Sequence, residues 1–236
     1  MSYGLFFLAI APAAAIIWYI YHKDKYEREP LRYLLMAFLI GVFSVLPASV
    51  VSGKMEEWFS GTVGTSVETL VYAFLVIAFV EELIKFLFLR FFIFRKDAFN
   101  EPFDGIVYGV MIGMGFATFE NLFYVFEGGV ATALVRMFSA VPAHGVLGVM
   151  MGYYVGKSKF DLPNRNKWTL KAFFIPFLAH GCYDFLLFQE EYPILGLFAI
   201  VGLLLTGWHL KTLMKEQQEA SPFKYGKESN GGNEID

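Results

Sequence analysis

The sequence predicts an all-α fold, a polytopic transmembrane helical bundle of about seven spans with the N-terminus outside and the C-terminus cytoplasmic. Three observations carry that expectation. Of 236 residues, 56% are hydrophobic, 19% aromatic and only 17% charged, with a mean hydropathy of +0.50; lipid removes the need for a charged outer face. Apolar runs of membrane length recur along the whole chain. Finally, 16 of the 19 Lys and Arg residues fall in alternate connections, the bias that retains those connections in the cytoplasm. The formal net charge of -3 and the lack of a large basic block argue against a nucleic-acid partner. Cys182 is the sole cysteine, so neither an intramolecular disulfide nor a multi-cysteine zinc site is available.

The first apolar run, 4–21, offers small-residue cleavage sites at Ala11, Ala13 and Ala15 but lacks a basic start and continues apolar from Ile16 to Tyr21, so it reads as a retained helix. The second, 33–52, begins just after Pro30, a residue compatible with a helix start. Residues 53–65 place Met55, Trp58 and Phe59 beside Glu56 and Glu57, a pattern that fits an interfacial amphipathic helix and an ordinary loop equally. Further spans are expected over 69–94, 103–127, 138–156, 170–188 and 192–211. Gly105, Gly109 and Gly113 in the fourth run, and Gly148, Gly152 and Gly156 in the fifth, repeat every four residues and predict close helix packing. A membrane domain is thus expected over 1–215, and the polar segment 216–236 reads as a disordered cytoplasmic tail.

Ionisable residues inside apolar runs are costly, by at least about 2.5–3.5 kcal/mol each on insertion scales, and are functional candidates by default. Glu81, Glu82 and Lys85 lie in the third run, Glu120 and Asn121 in the fourth after Phe116, and His180 and Asp184 in the sixth; Arg136 precedes the fifth run, which contains His144. At 1.5 Å per residue these positions fall between the middle and the outer end of their spans, where they could line one cavity. Glu81 and Lys85 are i,i+4 and share a helix face, as do His180 and Asp184. Paired ions and interhelical hydrogen bonds would explain either pair alone. Two adjacent acids with one local base, and an adjacent carboxylate and carboxamide in an apolar run, ask for more partners. Arg136 and His144 serve equally as an interfacial anchor and a helix-start residue near Pro142.

Four ordered pieces carry a family resemblance: Glu81-Glu82-x-x-Lys85, Phe116-x-x-x-Glu120-Asn121, Arg136 with His144, and His180-x-x-x-Asp184. Together they resemble the PrsW family of intramembrane proteases, relatives of the type II CAAX prenyl endopeptidases and the wider CPBP group. The resemblance implies a multi-pass cell-membrane hydrolase, a glutamic-type endopeptidase needing no metal or other cofactor. By the same resemblance Glu81 activates water with Glu82 in support, His180 and Asp184 fill the positions that stabilise the oxyanion in the prenyl group, and Glu120 and His144 complete the catalytic set. Lys85, Phe116, Asn121 and Arg136 take supporting places. The implied partner is a single-span membrane protein such as an anti-sigma factor, cut first on its extracytoplasmic side. Glu120 stands where the prenyl group has histidine, and Asp184 where asparagine is common; both departures favour PrsW, and they leave open whether His144 or His180 assists the water.

Two other classes compete. Two histidines and several carboxylates could ligate zinc, although a His-Glu-x-x-His helix motif is absent. A transporter or proton-coupled channel could use the buried acids as a relay, but the sequence shows no internal repeat of the kind many transporters have.

Overall fold

The computed structural model describes residues 3–59, 66–189 and 191–225, and its elements are helical with no strand among the described residues. Helix α1 spans Tyr3–Lys23 and α2 Leu31–Phe59. The expected third span is one helical path of mixed pitch: α3 (Ser66–Val71), a π-helical stretch Tyr72–Ala78, α4 (Phe79–Phe88) and a second π stretch Leu89–Ile93. Then follow α5 (Asp104–Phe138), α6 (Ala140–Phe160), α7 (Arg165–Leu187) and α8 (Ile194–Glu219). Five helical runs among the described residues are long and apolar enough to cross a membrane; one of them, Asp104–Phe160, contains both α5 and α6. The chain is a multi-pass, membrane-embedded bundle.

Helix α5 is the central post. Every residue from Glu101 to Thr118 is buried, as expected of a helix apolar or small on all sides. Its Gly109 faces α6 so closely that a Cβ there would stand 2.5 Å from the Gly148 carbonyl oxygen and 3.0 Å from the Gly152 Cα. The two glycine stripes therefore meet face to face. Helix α8, packed against α6 and α7, exposes Leu197, Phe198, Leu204, Leu205 and Trp208, an apolar surface that belongs against lipid.

Three boundaries depart from the sequence expectation. Residues 53–59 continue α2 rather than forming a separate interfacial helix or a loop; 60–65 lie outside the described residues. Beyond the fourth span the chain stays helical to Phe138, but Gly129 adopts φ 70 and ψ -154, a conformation nearly restricted to glycine. A straight helix would separate Glu120 from Arg136 by about 24 Å, yet their side chains meet at 2.8 Å. The chain thus doubles back at Gly129. Finally, α8 runs to Glu219, and the first residues of the expected disordered tail are held in place. Gln217 donates to the Tyr153 carbonyl at 3.3 Å, Gln218 to the Lys23 carbonyl, and the Ser221 hydroxyl to Glu101. Their polar side chains close onto groups of α6, the end of α1 and the connection before α5, which cannot be seen to converge from sequence. Residues 226–236 lie outside the described residues.

Candidate active site

Helix α4, between its two π stretches, brings Glu81, Glu82 and Lys85 into the bundle; Glu82 and Lys85 are 1% and 3% exposed. Departures from α pitch shift the faces that a helix presents and recur at functional sites. The Lys85 ammonium donates three hydrogen bonds: to Glu81 Oε2 at 3.0 Å, Glu82 Oε1 at 2.9 Å and His144 Nδ1 at 3.2 Å. An ammonium has no acceptor capacity, so His144 accepts through Nδ1 and carries its proton on Nε2. That nitrogen donates to Glu120 Oε2 at 3.1 Å.

Glu120 is held from a second side by Arg136, whose NH2 group donates to Oε2 at 2.8 Å while its Nε donates to Asn121 Oδ1 at 2.8 Å. Asn121 in turn donates to the Ala9 carbonyl at 2.8 Å, which ties the fork to α1. Phe116 lies under both neighbours, with the Lys85 ammonium 4.0 Å from its ring centre and the His144 ring 5.5 Å away. From α7, His180 Nδ1 donates to Glu82 Oε1 at 3.0 Å and Nε2 pairs with Asp184 Oδ2 at 3.2 Å. With a carboxylate at each ring nitrogen, His180 is satisfied by two ring protons or by a proton on one acid. The His144 and His180 rings stand edge to face, 5.6 Å apart.

All ten residues singled out in the sequence thus join one network from α4, α5, α6 and α7. Seven of them, Glu81, Phe116, Glu120, Arg136, His144, His180 and Asp184, line a single cavity of about 560 Å³. Glu82, Lys85 and Asn121 lie behind its wall. The i,i+4 pairs expected on α4 and α7 are present, and Arg136 and His144, near the end of α5 and the start of α6, both pair with Glu120. Glu81 uses Oε2 for Lys85 and lines the cavity, which leaves Oε1 for a bound water.

Sequence reasoning missed Tyr183. Its hydroxyl is buried at the cavity wall, facing Ser139 across the same lining. The available signal was its place directly before Asp184 and three residues after His180.

Glu81, Glu82 and His144 present donor atoms within 4.8 Å of one another, a set that invites a metal. The Lys85 ammonium already stands 2.9–3.2 Å from a donor of each, and His180 has both ring nitrogens engaged. A divalent ion and an ammonium repel and cannot share these donors. The arrangement does not fit a resident metal with Lys85 in place.

Residues 29–208 match the sequence model of a family described as PrsW family intramembrane metalloprotease. Similar proteins include "Protease PrsW" of Geobacillus kaustophilus, 38% identical over 189 residues, covering 80% of this chain and 82% of the relative. "Protease PrsW" of Bacillus subtilis is 38% identical over 179 residues, 75% of this chain and 80% of the relative. That of Clostridioides difficile is 34% identical over 233 residues, 96% and 97% of the two chains. No solved structure matches.

Proposed function

The chain belongs to the PrsW family of intramembrane proteases, and from that premise we propose that it hydrolyses a peptide bond of a single-span membrane protein by glutamate chemistry, without a metal. The observation that carries this reading is the hand of Lys85: it holds one oxygen of Glu81, fills the place a metal would take, and leaves the other oxygen to the cavity.

In this mechanism Glu81 Oε1 takes a proton from water as the water oxygen attacks the scissile carbonyl carbon. Negative charge then develops on the carbonyl oxygen, and the Tyr183 hydroxyl, buried in the cavity wall near Ser139, is the neutral donor that stabilises it. Protonated Glu81 returns its proton to the amine as the C–N bond breaks, and the carboxylate is regenerated. Glu82 and Asp184 fix the His180 ring from its two sides, and Lys85 and Glu120 do the same for His144, with Arg136 holding Glu120 in place. Both histidines line the cavity with both ring nitrogens engaged, His144 by Lys85 and Glu120 and His180 by Glu82 and Asp184, so either assists the water only by releasing one of these partners.

The preferred substrate is an anti-sigma factor cut on its extracytoplasmic side in the cell membrane. Support comes from the charge bias of the connections, which agrees with an outward-facing cavity end. The test uses proteoliposomes carrying single-span peptides, with cut sites mapped by mass spectrometry. Wild-type protein should cut in the outer half of the peptide and Glu81→Gln should lose at least about 10³-fold of the rate. Cutting in the inner half would overturn the sidedness, and wild-type rates from Glu81→Gln would overturn the base.

A further inference from the structure

Six buried side-chain polar atoms among the described residues have no hydrogen-bond partner, and five of them are oxygens at the basic end of the bundle, remote from the cavity. They are Asp24 Oδ1, Glu27 Oε2 and Glu29 Oε1 in the α1–α2 connection, Asn100 Oδ1 in the connection before α5, and Asp104 Oδ1 at the start of α5. Asp24, Glu29 and Asp104 are 2%, 3% and 0% exposed. Along α5 this place is about 24 Å from Glu120.

Each of these three acids is fastened by one oxygen, and the second oxygens of Glu29 and Asp104 face each other across the site. Asp24 Oδ2 accepts from the Glu29 amide at 3.2 Å, Glu29 Oε2 accepts from the Tyr108 hydroxyl, and Asp104 Oδ2 accepts from the amides of Asn100 and Glu101 at 2.7 Å. Glu27, Glu29 and Asp104 bring an oxygen each within 4.8 Å of one another. Two oxygens on opposite sides of a calcium ion are about 4.6–5.2 Å apart, and closer pairs fit magnesium. Like charges gathered out of water need a counter-charge.

We propose that these residues form a binding site for a hard divalent cation, magnesium or calcium, which clamps the α1–α2 connection and the start of α5 together. Carboxylate and amide oxygens without sulfur or imidazole select such an ion over zinc or copper. The clamp also reaches the end of α8, because Ser221 donates to Glu101 and Gln218 to the Lys23 carbonyl beside Asp24.

The test is thermal unfolding of the full chain in detergent after EDTA dialysis, with magnesium, calcium or zinc chloride added at fixed ionic strength. Magnesium or calcium should raise the midpoint by about 4 °C or more at saturation, the larger shift identifying the ion. The Glu29→Gln/Asp104→Asn double variant keeps the anchoring acceptors, and it should lose the shift while its cation-free midpoint stays level or rises. Should that variant fail to fold, half-buried Glu27→Gln should weaken the apparent cation affinity at least about tenfold. No shift with magnesium or calcium would overturn the site in favour of protons shared among the acids. An equal shift in the double variant, unchanged affinity in Glu27→Gln, or a shift with zinc alone would overturn it too.

Discussion

Alanine at Gly109 is expected to switch off a site whose residues it never touches. The added Cβ would stand 2.5 Å from the Gly148 carbonyl oxygen, against an ordinary contact of 3.4 Å or more, and both obstacles are backbone that no rotamer change can clear. Relief therefore requires α5 and α6 to part locally by about 0.9 Å. His144 rides on α6 and Glu120 on α5, joined at 3.1 Å. The same displacement carries that pair to about 4 Å, beyond a hydrogen bond, and frees the ring that Lys85 also holds. A misplacement of about 1 Å costs on the order of 10²-fold in rate, while overpacking costs about 1–3 kcal/mol of stability. The assay is peptide cleavage well below the unfolding midpoint, with Gly53→Ala, where nothing lies within 4 Å of the new Cβ, as the control. A folded Gly109→Ala protein cutting at the wild-type rate would refute the coupling of glycine packing to the site.

Lys85→Met should destabilise the protein by about 3–5 kcal/mol, because Glu81 and Glu82 lose their shared buried partner; metal analysis of the folded fraction should find zinc in this variant and none at the cluster in wild type. Arg136→Lys should lower kcat by about 10–100-fold, since one ammonium cannot reproduce the fork to Glu120 and Asn121, and steady-state kinetics would show it. Gly129→Ala should cost about 1–3 kcal/mol in thermal unfolding, the strain of a side chain at its φ of 70, and should reduce activity by loosening the segment that delivers Arg136.

The intramembrane ions were legible in the sequence because lipid leaves few reasons for them. Glu81 with Lys85 and His180 with Asp184 were readable from helical spacing, and the glycine stripes announced close helix packing, though not that the two stripes face each other. Partners across helices were not readable: that Lys85 bridges both glutamates to His144, or that Glu82 rather than Glu81 holds His180, depends on helix rotations that periodicity does not define. The return at Gly129 was hidden because helical propensity continues on both sides of it. Asp24, Glu29 and Asp104 escaped notice for a different reason. Acids in polar connections look like ordinary solvated charge, and only the docking of two connections and the α8 end takes them out of water.

The most direct test of the central claim, that Glu81 activates water with Lys85 where a metal would sit, is cleavage of one single-span peptide under a zinc-selective chelator such as 1,10-phenanthroline. Magnesium and calcium stay in the buffer so that the basic end of the bundle is left undisturbed. The account predicts an unchanged wild-type rate under the chelator and none from Glu81→Gln. Loss of the wild-type rate, restored by added zinc, would contradict it and make the protein a metalloenzyme.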